Sequence, residues 1–182
     1  MITENERREA KAYIEAVFEN AINREGKYEL LDFMEKIGYF RAPASTKYHL
    51  SEEGGLMIHS IHVAMRMLEM KDATEYSHES IMIVSLLHDL CKADQYRKSN
   101  ISGEYVWNNG CLPLGHGEKS LYWITQYMKL TDEEALAIRW HMGGFDYAVK
   151  GGSRDLDAAF NMSKLAVMLS LADMQASQID ER

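Results

Sequence analysis

The sequence predicts an all-α protein, a helical bundle folded as one domain, and three observations lead to this prediction. Apolar residues recur at intervals of three and four along most of the chain, which is the period of an amphipathic helix. The 182 residues include only 2 prolines, so little in the sequence interrupts helices. A chain of this length can bury one hydrophobic core but is short for two independent enzymatic domains, so we expect one domain over 1–182.

Two helices are expected to form an N-terminal pair within 1–38. Apolar residues at helical spacing define the first over 6–23 and the second over 28–37. A loop with a proline and a glycine pair follows, which is typical of a connection between elements. The remaining core of the domain is expected to span 39–178.

The next elements are two helices and a segment of different character. One helix begins near Leu56, with an apolar stripe on one side. Another covers 79–92 and is apolar almost all round, which is typical of a buried helix. In 95–115 the helical period is lost, and aromatic residues surround two turn signals, so we expect a small β-hairpin or an irregular flap.

Helical spacing returns in the last third of the chain, first over 116–128. Thr131, with Glu134 three residues later, forms a capping box that opens a helix reaching to about Met142. A final helix is expected over 161–178, where apolar residues again dominate.

Charge and cysteine content narrow the class of protein. The net charge of −8, from 20 basic and 28 acidic residues, counts against a surface that follows a nucleic-acid backbone and favours a small substrate. Cys91 and Cys111 are the only cysteines, and the first residues do not resemble a signal peptide. The longest apolar stretches fall short of the roughly 20 residues that cross a bilayer. We expect a cytoplasmic protein with no membrane partner.

Two carboxylates lie in unexpectedly apolar surroundings. Asp89 follows a fully apolar run, and Asp173 lies in LAVMLSLADM. An ionised carboxylate buried in this way is costly unless it is paired or bound to a metal. Lys92 could form an ion pair with Asp89, but His88 beside it makes a metal site the more economical interpretation.

Most histidines share this setting. Five of the seven lie on or at the end of predicted helices; they are His59, His62, His88, His116 and His141. We expect His78 to be structural, and His49 alone gives no signal. His62 could equally hydrogen-bond to a metal ligand or be structural. Imidazole and carboxylate together suit a divalent transition metal, with one or two ions: Fe or Mn first, and Zn, Ni, Co or Mg as alternatives.

These segments carry a family resemblance. GGLMIHSIHVA, LLHDLCKAD, a later pair of histidines and LADMQAS resemble the HD superfamily of metal-dependent phosphohydrolases over about 40–177. The resemblance implies an HD-domain bundle in which one metal is held by four residues: His59, His88, Asp89 and Asp173. It adds His116 and His141 for a second metal, with Asp89 bridging. Cys91 occupies a position where many members have glycine.

The resemblance also implies a reaction, in which a metal-activated water cleaves a phosphomonoester or phosphoanhydride of a nucleotide or similar small metabolite. Asp89 and Lys92 are then catalytic, and Lys92 binds the phosphate. Lys47, Lys119 and Arg139 are further substrate-binding candidates, although each fits a surface or core role equally well.

Two other functions and a homodimer stay open. The upstream segment APASTKYH is similar to the HD domain of bacterial 3′-to-5′ exoribonucleases, which makes a phosphodiesterase or nuclease acting on nucleic acid the main alternative. The other alternative is a noncatalytic, metal-stabilised nucleotide-binding module.

Overall fold

The structure is a computed structural model that describes residues 1–181, and helices dominate it. The helices are α1 (Glu4–Asn20), α2 (Lys27–Ile37), α3 (Gly55–Glu69), α4 (His78–Leu87), α5 (Lys92–Gln95), α6 (His116–Ile124), α7 (Asp132–Trp140), α8 (Tyr147–Lys150), α9 (Asp155–Met162) and α10 (Lys164–Gln175). The strands are β1 (Tyr96–Lys98) and β2 (Tyr105–Trp107), and short 3-10 or π turns cover Lys71–Glu75, Gly143–Phe145 and Ala176–Asp180. The predicted all-α class with a small hairpin is confirmed.

Four helices form the centre of the bundle. Helix α3 packs against α4 and α10, and α10 also packs against α7. Buried apolar residues from these helices join those of α1 and α2 in one continuous core. In α4 every residue from Ile81 to Leu87 is buried, as its apolar sequence predicts.

Capping fixes where two of the helices begin. Thr131 accepts a hydrogen bond from the Glu134 amide, and the Glu134 side chain accepts one from the Thr131 amide, so the predicted capping box is present at α7. Thr3 and Glu6 form the same arrangement at α1. Helix α7 ends at Trp140, slightly before the predicted end at Met142.

Two predicted helices are divided in the structure. The helix expected over 79–92 ends at Leu87, and residues 88–91 form a turn before the short α5. The prediction of one helix over 161–178 is wrong at its start. Ser163 has an extended backbone, with φ −139°, and separates α9 from α10. The Ser163 hydroxyl caps α10 by accepting from the Ala166 amide.

The segment 95–115 contains the hairpin rather than an irregular flap. Strands β1 and β2 are antiparallel, with Tyr96 opposite Trp107 and Lys98 opposite Tyr105. The Tyr105 hydroxyl donates to the Arg41 carbonyl over 3.0 Å, which ties the hairpin to the loop after α2. Within residues 1–181, no helix combines the length and apolar character needed to span a bilayer.

Candidate metal centre

Six predicted ligands come together where α3, α4, α6, α7 and α10 meet. His59 lies within α3 and Asp173 within α10, while the other four lie at helix ends. His88 caps the C-terminus of α4 and is followed by Asp89, His116 begins α6, and His141 caps the C-terminus of α7. A cluster built from several helix ends is a common way to assemble a metal site in a bundle.

The carboxylate of Asp89 lies at the middle of this cluster. Its Oδ2 is 3.6 Å from Nε2 of His59 and 3.4 Å from Nε2 of His88. Its Oδ1 is 3.2 Å from Nε2 of His116 and 3.4 Å from Nε2 of His141. A second carboxylate oxygen, Oδ1 of Asp173, lies 3.2 Å from Nε2 of His59. One carboxylate is therefore shared between two pairs of imidazoles.

Several of these atoms are buried without a hydrogen-bond partner. Among the described residues this holds for Nε2 of His59, His88 and His141 and for Oδ1 of Asp89. Leaving a buried polar atom unpaired costs about 1–3 kcal/mol. His59 and His88 belong to one group of possible ligands, and His88, Asp89 and His141 belong to another. Cations bound in these groups would satisfy the unpaired atoms, so the residues fit a metal.

The other ring nitrogens of two histidines are held by the backbone. Nδ1 of His88 lies 2.8 Å from the Ser85 carbonyl oxygen, and Nδ1 of His141 lies 2.7 Å from the Ile138 carbonyl oxygen. In the neutral ring Nδ1–H then donates, so that Nε2 carries the free lone pair. This is the tautomer that metal-binding histidines use.

Electrostatics around Asp89 favour positive charge. Burial raises the pKa of Asp89, but Lys92, His88 and His116 together bring it well below its usual range. Burial lowers the pKa of His59, but hydrogen bonds with Asp173 and Glu181 raise it to about 9. Burial also lowers the pKa of His116, but Cys91 and Asp89 raise it to about 10. Without metal the cluster thus holds protons at these histidines.

Lys92 also contacts the central carboxylate. Its Nζ is 2.5 Å from Oδ2 of Asp89, and only 10% of its side chain is exposed. Burial lowers the pKa of Lys92, but the charge of Asp89 raises it above its ordinary value, so the ammonium stays charged. The ion pair that the sequence left open is present, and it places Lys92 beside the cluster.

Of the other predicted substrate-binding cations, Lys119 and Arg139 are already paired with carboxylates, whereas Lys47 is not buried. Lys119 is buried and forms an ion pair with Asp94. Lys47, by contrast, is exposed in the loop before α3.

Arg139 contacts two carboxylates, with N–O distances of 2.5 Å to Glu118 and 2.9 Å to Asp146. It also lies 3.8 Å above the ring of Trp140. Lys92 is therefore the cation that the structure places against the cluster.

Sequence reasoning missed Glu181 and gave no role to His49. The buried carboxylate of Glu181 lies 3.1 Å from Nδ1 of His59 and 2.9 Å from Nδ1 of His62. Nε2 of His49 is 3.8 Å from the same carboxylate, and burial lowers the pKa of His49 to about 4. His62 therefore contacts the same Glu181 carboxylate that contacts Nδ1 of His59. Neither Glu181 nor His49 lies in an apolar run, so the signal that marked the six ligands is missing for them.

Four overlapping triads could hold an ion within the described part of the chain. They are His49, His59 and Glu181; His59, His88 and Asp173; His88, Asp89 and His141; and Asp89, Cys91 and His116. The overlap follows from Asp89 and the rings of His59 and His88, which each belong to two triads.

Comparisons with family models, with curated proteins and with solved structures find no match to this chain.

Proposed function

We propose that this protein is a metal-dependent phosphohydrolase of the HD type, which cleaves a phosphomonoester or phosphoanhydride of a nucleotide or similar small metabolite. The observation that carries the proposal is the position of Asp89. Its two oxygens face two pairs of imidazole nitrogens, and most of these atoms are buried with no hydrogen-bond partner. The sequence resemblance to the HD superfamily supports the same function.

Two sets of residues would hold the ions. One set is His59, His88, Asp89 through Oδ2, and Asp173; the other is Asp89 through Oδ1, His116 and His141. Bound divalent cations of this kind supply activation of water and neutralisation of phosphoryl charge. Because most of the ligands are imidazoles, we expect a transition metal, Fe or Mn first, rather than Mg.

The protein's own residues would position the phosphate. Lys92 holds its ammonium beside Asp89 in a nearly closed environment, where a charge–charge interaction is stronger than in water. From there it can bind a phosphoryl oxygen and stabilise the charge that develops on it. We propose Asp89 and Lys92 as the catalytic residues on these grounds.

Exposure of the cluster favours a small substrate. The side chains of His59, His88, Asp89 and His141 are at most 2% exposed, whereas His116 and Asp173 are 20% and 18% exposed. A substrate therefore approaches past His116 and Asp173. The small exposed fraction of the cluster and the net charge of −8 both favour a small ester over a nucleic-acid strand. The cytoplasmic location stays a prediction.

The proposal is tested by phosphate release from nucleoside mono-, di- and triphosphates, using protein loaded with Fe, Mn, Co or Zn. We expect turnover of a nucleotide, loss of that turnover to background in Asp89→Asn, and a fall in kcat of about 10²-fold in Lys92→Ala. His78→Ala is the matched control, because His78 is exposed at the start of α4. Cleavage of single-stranded RNA alone would indicate a nuclease, and saturable nucleotide binding without turnover would indicate a binding module.

A further inference from the structure

Cys91 is a buried free thiol beside the metal centre. It lies in the turn between α4 and α5, two residues after Asp89, and none of its surface is exposed. Its sulfur lies with a carboxylate oxygen of Asp89 and a ring nitrogen of His116, all three within 4.8 Å of one another. The three side chains thus offer sulfur, oxygen and nitrogen to one point.

The backbone fixes this arrangement. The Cys91 amide donates to the Ser120 hydroxyl over 3.0 Å, and both groups are buried. Ser120 lies one turn after His116 on α6, so this bond sets the turn that carries Asp89 and Cys91 against the helix that carries His116. The juxtaposition of the thiol and the imidazole is therefore held by a second contact, independent of their own side chains.

One oxygen of the Asp89 carboxylate points to a ligand at this position. Oδ1 of Asp89 is buried and accepts no hydrogen bond from the described residues, although Nε2 of His116 lies 3.2 Å away. Asp89 as a whole is 1% exposed. Lys92 pairs with Oδ2, so Oδ1 is the oxygen of this buried carboxylate that can bind a further cation.

We propose that Cys91 is a metal ligand, and that its thiolate binds the same ion as Asp89 Oδ1 and His116. The inference rests on the metal centre of the proposed function and specifies one of its two positions. On binding, the Cys91 thiol gives its proton to solvent and its sulfur joins the ion. A thiolate selects Zn, Co or Fe over Mg and Mn, so this position would discriminate among the ions named above.

The competing interpretation is that Cys91 is only a small buried residue. Free cysteine behaves as a small hydrophobe in many cores. In that case the thiol would not contact a bound ion, and its replacement would leave the metal spectrum unchanged. The two interpretations therefore differ in a direct spectroscopic property.

The first test loads metal-free protein with Co²⁺ and records the near-ultraviolet absorption, where a thiolate-to-cobalt charge-transfer band appears only if sulfur is bound. We expect the band in wild type and in Cys111→Ser, and its loss in Cys91→Ser together with at least about 10-fold weaker binding of one ion. Cys111 is the matched control because it is the other free cysteine. A wild-type spectrum without the band, in protein that binds cobalt, would overturn the inference.

A second measurement does not depend on the folding of Cys91→Ser. Zinc-loaded Cys111→Ser has Cys91 as its single thiol, and X-ray absorption should show a sulfur neighbour at about 2.3 Å. Only nitrogen and oxygen neighbours would overturn the proposal. Phosphate release is measured on the same samples: hydrolysis without sulfur ligation rejects this inference alone, whereas sulfur ligation without hydrolysis rejects the proposed function alone.

Discussion

His88 and His141 are oriented by the same device, in which Nδ1 of each ring lies within hydrogen-bond distance of the carbonyl three residues earlier in its own helix. Their rings meet edge to face, with centroids 4.9 Å apart. Since both residues cap the C-terminal end of a helix, these carbonyls belong to the last turn and are partly free to accept. The helix ends thus present two Nε2 atoms towards Asp89 before any ion binds.

Metal stoichiometry should distinguish the two positions around Asp89. We expect about two equivalents of transition metal in wild type, loss of both in Asp89→Ala, and about one in His141→Ala, because Asp89 is shared and His141 is not. The measurement is plasma mass spectrometry on protein purified without chelator. His78→Ala should retain the wild-type content. A single equivalent that His141→Ala leaves unchanged would reduce the centre to one ion.

Glu181 should raise metal affinity without binding the ion itself. Its carboxylate accepts from Nδ1 of His59, so Glu181→Gln removes the charge that orients this ring. We expect metal affinity to fall about 10- to 100-fold, measured by competition with a chromophoric chelator. Glu69→Gln is the control, since Glu69 is 65% exposed and pairs only at the surface with Arg66. Equal affinity in both variants would contradict the orienting role.

Metal binding should release protons at neutral pH. Without metal, the pKa of His59 is about 9 and that of His116 about 10, so both rings are protonated and must lose a proton before Nε2 can bind an ion. We expect these two rings to release about two protons per protein, besides the one that the Cys91 thiol gives up on binding, and an affinity that rises with pH up to that range. Calorimetry in buffers of different ionisation enthalpy measures this release.

The metal-free protein should show the opposite trend. In the folded protein the pKa values of His59 and His116 lie above the ordinary 6.5. Their protonation therefore stabilises the fold fully below pH 6.5, and this contribution is lost as the pH rises towards 9 to 10. Thermal stability without metal should therefore fall over the range in which metal affinity rises. Heat of binding that is independent of the buffer would count against both trends.

Gly117 should be required for the second metal position. A Cβ on this residue would lie 2.2 Å from the Arg139 carbonyl oxygen, so α6 and α7 could no longer pack as they do. We expect Gly117→Ala to cost about 1–3 kcal/mol in the free energy of unfolding and to lose about one equivalent of metal, since His116 and His141 would separate. Gly144→Ala, where nothing lies within 4 Å, should match wild type. Metal content unchanged in Gly117→Ala would show that the close packing is dispensable.

The ion pair of Arg24 and Glu134 should make the free energy of unfolding depend on pH in the acid range. Two N–O contacts of 2.6 Å and 2.7 Å join them, and the Glu134 side chain is fully buried. Burial raises the pKa of Glu134, but the hydrogen bond from Arg24 brings it below 4.5. A lowered carboxyl pKa gives stability above pH 4.5 that is lost as pH falls.

Urea unfolding measures this effect. We expect Glu134→Gln to lower the free energy of unfolding by about 3 kcal/mol at neutral pH and by less in acid, where the wild-type carboxyl also becomes neutral. Glu133→Gln, exposed one residue earlier, should have little effect. The same loss at both pH values would instead indicate that packing, not charge, is responsible.

Much of the candidate site was predictable because its residues conflict with their local sequence. Asp89 directly follows an apolar helix and Asp173 lies within another, and a carboxylate in such surroundings is marked without any structure. Their convergence with four histidines is seen in the structure, while metal binding by them stays a prediction. Glu181 lies in a polar segment 122 residues from His59, and only the folded chain brings the two together.

Other features depended on partners that the sequence does not reveal. The sequence offers Lys119 and Arg139 as phosphate-binding candidates, but in the structure both pair with carboxylates. The sequence around a cation does not show which carboxylate the fold brings beside it. Helix types followed from apolar spacing, but the division at Ser163 required knowing that its backbone is extended. The sequence does carry a sign of this new helix start, because Ser163 is a residue typical of N-caps and precedes an apolar run.

The contact between Lys92 and Asp89 has a consequence for the order of assembly. With Nζ 2.5 Å from Oδ2, the protein supplies its own counter-ion to the buried carboxylate at the middle of the cluster. The newly made chain can then fold before it acquires any metal, because its central acid is already neutralised. Under the proposed function, an incoming ion would take one Asp89 oxygen from the ammonium, and Lys92 would then be free to face the substrate.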